Sequence, residues 1–344
     1  MTSVADTQPA QSAGGPTAGA PLESSALESS VLDATRAAAI ACQQWVGRGD
    51  KEAADEAATE AMRAVLDAAP GRGTVVVGEG AKDDAPMLFD GETLGGGGSP
   101  EFDIAVDPLE CTTLCAKGMP DALATIAIAP RGSLAALGQS FYMDKLVAAG
   151  EVGTELDITL EPEDNLDRAA RALSKEVGEL VVVVLDKPRH TELIERLNAA
   201  GARVISPPEG DVAGALSALL PDGEADLLMG VGGTPEGVMT ACAAHAAGGW
   251  MQARLAPQDD EEAKVLADSG LDAERVYDLA DLAGAGSFFV ATGVSGGSLL
   301  RRPWGDPDAM YTESIVIADG SLRYVVEART PGVDQAAAGG GTAN

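Results

Sequence analysis

A run of six apolar residues, Leu180-Val181-Val182-Val183-Val184-Leu185, constrains this chain most. It reads as a strand covered on both faces. A helix-like segment, Thr191 to Ala200, comes next. Then follow a strand at 202–205, a helix after Asp211, a strand at 225–229 and a helix from Pro235 to about Ala247. Such alternation predicts an α/β fold whose second half is a mainly parallel sheet between helices.

The first half begins with helix-like runs. One spans Ser29 to Val46. Asp50 resembles an N-cap for a second, Lys51 to Ala68, which Pro70-Gly71 stops. Strands are expected at 74–77, 102–106 and 123–129, with a return strand from Phe141 to Val147. Near the end, Glu313–Ile317 and Leu322–Val326 fit a hairpin closed by Asp319-Gly320. A region at about 150–180 separates two unequal lobes, 25–150 and 151–330, and a cleft between them is a natural ligand site. Residues 1–24 and 331–344 have the composition of disordered tails.

Acidic residues sit where strands end. Glu79 follows the strand at 74–77, and Asp107 and Glu110 follow the strand at 102–106. Carboxylates at the ends of buried strands lie where α/β enzymes bind ligands. Clustered oxygen donors suit Mg²⁺ or Mn²⁺. Thr112 adds a hydroxyl beside them. These are the parts needed to aim and deprotonate a water at a phosphate ester. Asp107 alone reads as a helix cap after a common Asp-Pro turn opener; the two acidic turns together read as a metal site.

Composition removes other functions. A net charge of −31 argues against nonspecific nucleic-acid binding, which needs Lys and Arg. Cys42, Cys111, Cys115 and Cys242 match no zinc spacing and read as free thiols in a reducing cytoplasm. No run of about 18 apolar residues occurs, so no spanning helix is expected. The N-terminus shows no basic region followed by an apolar stretch, so no signal peptide is expected.

Three loops complete the picture. Gly230-Val231-Gly232-Gly233-Thr234-Pro235-Glu236-Gly237 joins a strand to a helix and is neither a Rossmann nor a Walker loop. Thr234 at N-cap and Pro235 at N1 would start that helix, and Glu236 reads as a first-turn acid or a metal ligand. Asp186-Lys187-Pro188-Arg189-His190 offers two cations and an imidazole that could clamp a phosphate. Glu209-Gly210-Asp211 could bond sugar hydroxyls or cap a helix, and Tyr142 is either core or a substrate contact.

In this order, the pieces resemble the class II fructose-1,6-bisphosphatases, which are lithium-sensitive, metal-dependent sugar phosphatases. The matching segments are Trp45 to Lys51 with Asp55, Gly78-Glu79-Gly80 with Asp84 to Leu88, Ala105 to Pro108, and Lys187 to His190. Gly210 to Ala213, Gly232 to Gly237 and Ala291 to Val294 also match. The resemblance covers roughly residues 29–327. It implies a layered α/β/α/β/α fold and hydrolysis of a sugar phosphate, with Mn²⁺ or Mg²⁺, by direct attack of water. By position, Asp55, Glu79, Asp107, Glu110 and Glu236 look like the metal and water-activating acids. Thr112 looks like the hydroxyl that orients the water. Tyr142, Lys187, Arg189, Gly210 and Asp211 look like substrate contacts. A role in gluconeogenesis and a homodimer or homotetramer are implied too. Three departures stand near this chemistry: Cys111 replaces a glycine of the family's turn, Ala81 an acid, and Glu327-Ala328-Arg329-Thr330 the basic and histidine residues usual near the C-terminal end. They leave open another sugar phosphate, such as a sedoheptulose bisphosphate or a specialised-metabolism substrate, or a non-catalytic binding relative.

Overall fold

A computed structural model describes Leu22 and residues 25–80, 86–138, 140–306 and 309–329, the last without its side chain. The expected tails lie outside these residues, Leu22 apart, and so does Ala81. In chain order, α1 (Ser25–Ala41) and α2 (Lys51–Leu66) lead into β1 (Gly71–Val77), β2 (Thr93–Gly97) and β3 (Glu101–Glu110). Next come α3 (Thr112–Lys117), β4 (Leu123–Pro130), β5 (Tyr142–Ala148), α4 (Gly150–Gly153) and α5 (Pro162–Leu173). Strands and helices then alternate: β6 (Val181–Val183), α6 (Thr191–Ala199), β7 (Arg203–Ile205), α7 (Asp211–Leu219), β8 (Leu227–Gly233), α8 (Thr234–Ala247) and β9 (Trp250–Leu255). The last stretch holds α9 (Asp260–Asp268), β10 (Tyr277–Asp278), α10 (Leu279–Leu282), β11 (Phe288–Gly293), β12 (Trp304–Asp306), β13 (Ala309–Ala318) and β14 (Ser321–Arg329).

Local chemistry accounts for several boundaries. The Asp50 carboxylate accepts the Ala53 N–H at 3.1 Å and so caps α2. The β13–β14 hairpin pairs Ala318 with Ser321 across Asp319-Gly320. Those two residues have φ of 49° and 71°, as a two-residue hairpin turn of this hand requires.

Side-chain alternation builds five layers. On β3, Ile104 and Val106 pack with Leu27, Val31 and Met62 of α1 and α2. Ala105, between them, faces the other way, into a core with Leu216 of α7 and Val238 of α8. Met143 and Val147 of β5 close that core from the second sheet. Leu146 and Ala148, on the opposite face of β5, pack under Leu166 and Ala169 of α5 and Leu197 of α6. The order is helices, sheet, helices, sheet, helices, which is the layered α/β/α/β/α architecture expected. Each fully buried Leu, Val or Met in these layers contributes roughly 1.5–3 kcal/mol of transfer free energy.

Sheet membership departs from the expected arrangement in three ways. The eight-stranded sheet runs β12-β13-β11-β4-β3-β1-β2, with β14 on β13. The six-stranded sheet runs β10-β9-β5-β8-β6-β7. First, β5 does not return against β4; it lies antiparallel between β8 and β9. Second, the second sheet is mixed rather than mainly parallel. Only β6–β7 and β6–β8 pair parallel, because β5 and β9 enter by antiparallel connections. Third, a division at residue 150 does not follow the sheets, since β11, β13 and β14 extend the first sheet past β4.

Candidate active site

Parallel pairing gathers the acids. β1 and β3 are parallel neighbours, so their carboxyl ends open on one edge and bring Glu79 beside Asp107 and Glu110. On a regular strand, a spacing of three would send Asp107 and Glu110 to opposite faces. Here Asp107 pairs with Thr125 and Glu110 with Leu123, so β3 uses one residue more than β4. This bulge falls within Pro108-Leu109, where Pro108 has no N–H to lose from the ladder, and it turns both carboxylates the same way. Leu109 N–H donates to Asp107 Oδ1 at 3.0 Å and fixes the turn. Cys111 then adopts φ 70° and ψ 53°, and Thr112 opens α3.

From the other sheet, β6, β7 and β8 run parallel, and the loops after them face the same volume. The result is a cavity of about 420 Å³. One wall carries Asp55, Glu79, Asp107, Glu110, Cys111 and Thr112; the other carries Lys187, Arg189, Gly210, Asp211 and Glu236. Every predicted site residue except Tyr142 lines it. Tyr142 lies beneath Arg189, with the guanidinium 5.1 Å from the ring centroid.

The acids repel one another. Asp107, Glu110 and Glu236 each place a carboxylate oxygen within 4.8 Å of the others. Burial, then Asp107 and the neighbouring acids, pushes Asp55 up to about 6 and Glu79 up to about 9. Burial, then Asp211, raises Glu236 to about 7. Burial drives Asp107 and Glu110 up as well. Oε2 of Glu236 is buried with no hydrogen-bond partner. An oxygen-only cluster with an unsatisfied buried carboxylate oxygen fits a hard divalent cation, which would supply the missing charge and ligand partner.

A pH dependence follows for the metal-free protein. Each of these acids holds its proton more tightly folded than unfolded, so it stabilises the fold below about pH 4. That contribution is lost as pH rises through about 6 for Asp55, about 7 for Glu236 and about 9 for Glu79. Melting with a chelator should therefore show a lower Tm at pH 8.5 than at pH 6, by several degrees. A cation held by the ionised acids would flatten or invert the trend, so the same melts with excess Mn²⁺ are the control. A chelated protein whose Tm rises over that interval would contradict the electrostatics drawn here.

Some residues serve scaffolding. His190 does not join a phosphate clamp. Its Nδ1 lies 2.7 Å from Leu185 O, and its Nε2 accepts the Val231 N–H at 2.8 Å, so the ring ties the Lys187–Arg189 loop to β8. Gly233, not Thr234, is the N-cap of α8. The Thr234 hydroxyl instead lies 3.0 Å from that of Ser140. Glycine at 233 leaves room for the Glu236 carboxylate: a Cβ there would lie 1.8 Å from Oε2 and would displace that side chain.

The family model for bacterial fructose-1,6-bisphosphatase, glpX-encoded, matches residues 25–329. The chain belongs to this family. It is 41% identical over 297 residues to a fructose-1,6-bisphosphatase class 2 of Haemophilus influenzae, covering 82% of this chain and 89% of that protein. It is 39% identical over 297 residues to a fructose-1,6-bisphosphatase 1 class 2 of Escherichia coli K12, covering 82% and 88%.

Within this glpX-type bisphosphatase chain, Cys111 is the departure that the structure can weigh. It has the left-handed conformation that glycine holds without strain, a cost of roughly 1–3 kcal/mol for other residues. Its Sγ is 3.2 Å from where a Cβ on Gly210 would stand, so it spans from the acid-bearing turn to Gly210. Burial and the adjacent carboxylates raise its thiol pKa, which keeps it a neutral spacer. Cys111→Gly should relieve the strain while returning about 0.4–1 kcal/mol of unfolded-state entropy. The expected net gain of about 1 kcal/mol reads as a Tm rise of about 2 °C. A fall in Tm would show that the thiol contact outweighs the strain.

Sequence reasoning missed Lys145. It is 2% exposed and pairs with Asp211 behind the cavity wall. The signal was present: Met143, Lys145 and Val147 share one face of a strand, and a cation between two core positions needs a buried partner.

Proposed function

We propose that the chain hydrolyses fructose 1,6-bisphosphate to fructose 6-phosphate by direct attack of water, with Mn²⁺ or Mg²⁺ held by Asp55, Glu79, Asp107, Glu110 and Glu236. One observation carries this reading: these five buried or half-buried carboxylates face one cavity with two basic side chains, Lys187 and Arg189. A divalent cation bound there lowers the pKa of water and offsets charge on the phosphoryl oxygens. The chain's residues do the rest. Asp55 and Glu79, which a bound cation would keep ionised, are the bases placed to accept the proton of the attacking water. The Thr112 hydroxyl aims that water. Lys187 and Arg189 hold phosphate, and Gly210 and Asp211 border the sugar. Arg189 donates to Val231 O at 2.9 and 3.1 Å, so its orientation over Tyr142 is set in advance.

Four free cysteines support a reducing cytoplasmic location. The family supports a role in gluconeogenesis and a homodimer or homotetramer. The substrate for which the relatives are named supports this one. Cys111, reaching toward Gly210, favours a second reading, the same chemistry on another sugar phosphate. Phosphate release from a panel including fructose 1,6-bisphosphate and a sedoheptulose bisphosphate, with and without Mn²⁺, separates the two. No Mn²⁺-dependent release from any member overturns both. Calorimetric binding without turnover would leave a sugar-phosphate-binding relative.

A further inference from the structure

Lys145 sits in the middle of β5, opposite Gly230 of β8 and Ala253 of β9. Its neighbours on that face, Met143 and Val147, are fully buried in the core between the sheets. The Lys145 side chain is 1% exposed. Its ammonium pairs with the Asp211 carboxylate and donates to Gly233 O at 3.1 Å. Those partners belong to different elements. Asp211 opens α7 behind Gly210, which is left-handed at φ 99°. Gly233 ends β8, three residues before Glu236. The space is made for this contact: a Cβ on Gly232 would lie 2.0 Å from Asp211 Oδ2 and 2.6 Å from Lys145 Nζ. The other nine-tenths-buried basic side chains among the described residues lie elsewhere: Arg36 on α1 pairs with Asp33 and Glu327, and His190 is tied to backbone.

We propose that Lys145 is a positioning residue for the hydrolysis. One ammonium holds the turn that presents Gly210 and Asp211 to the substrate. It holds the turn that presents Glu236 to the cation as well. Lys145 touches neither ligand and is absent from the cavity wall. This inference rests on the function proposed above. Its physical basis is that Asp211, without its partner, would be one more carboxylate facing Glu236, Glu110 and Asp107. Both turns would then shift. A displacement of about 1 Å costs roughly 100-fold in rate, and loss of a residue that orients metal ligands costs about tenfold or more in metal affinity.

The test uses the full chain with Lys145→Met, which replaces the unbranched stem and removes the ammonium, and Lys145→Met combined with Asp211→Asn, which leaves no unpaired buried charge. Three quantities are read: Tm without metal, Mn²⁺ affinity by calorimetry with the metal alone, and kcat and KM with fructose 1,6-bisphosphate. Lys145→Met is expected to lose kcat about 100-fold and Mn²⁺ affinity about tenfold. The double variant is expected to recover Tm while its Mn²⁺ affinity stays about tenfold weak. If the double variant regains wild-type Mn²⁺ affinity, Lys145 only neutralises Asp211 and the proposal is overturned. Wild-type Mn²⁺ affinity and kcat in Lys145→Met overturn it too. Should Lys145→Met not fold, the double variant decides. A wild-type protein that releases no phosphate in the same assay counts against the proposed function, and the Mn²⁺ affinities still judge Lys145.

Discussion

Replacing Glu236 with Gln should reduce phosphate release at saturating Mn²⁺ by about 10³-fold or more, equivalent to ~4 kcal/mol of transition-state stabilisation. The side chain keeps its shape and loses its charge. Its Oε2 is the buried oxygen without a hydrogen-bond partner, within the three-carboxylate group of Asp107, Glu110 and Glu236. The same change should raise the Tm of the chelated protein, because one of several mutually repelling acids has gone and its amide can donate to a remaining carboxylate. Added Mn²⁺ should then stabilise the variant less than the wild type. Activity and metal-free stability thus move in opposite directions, which simple misfolding would not produce. Asp107→Asn should behave alike. Near-wild-type turnover in both variants would remove these residues from the metal set.

Thr112→Val should cost about 10²-fold in kcat, within the range expected when a group that positions or relays a proton is deleted. Valine retains the β-branched shape, so α3 should still begin directly after the left-handed Cys111. No acid is altered, so Mn²⁺ affinity by calorimetry should stay within about twofold, set against the tenfold or larger losses of ligand-orienting changes. A parallel fall in affinity and rate would place Thr112 among the groups that hold the cation. Unchanged kcat would remove the hydroxyl from the reaction.

The layered α/β architecture was legible because it follows from local patterns. Val181–Val183 is a strand buried on both faces, as its apolar run implies. Asp50 and the Asp319-Gly320 turn mark their elements by side-chain and backbone chemistry confined to a few residues. Strand pairing was less legible. Whether β5 returns against β4 or crosses to β8 depends on partners about 80 residues apart in sequence, and no local preference encodes that choice. The acids at the strand ends were visible as candidates, yet their convergence depends on one bulge within Pro108-Leu109 and on the parallel registry of β1 with β3. Lys145 escaped notice because its partner Asp211 lies far along the chain, and a lysine in a strand ordinarily faces water.

The return of β11, β13 and β14 to the first sheet has a consequence for synthesis. Strand β4 takes its second neighbour from residues 288–293, after the whole second sheet has been laid down. A nascent chain leaving the ribosome therefore carries an open edge on β4 from about residue 130 until β11 emerges at residues 288–293. That edge presents an unpaired backbone ladder along Leu123–Pro130, residues buried in the finished protein. Chains released before about residue 290 would carry the acidic turns but lack the strands that close their sheet. Such fragments should pair with one another or be degraded rather than form a smaller working enzyme.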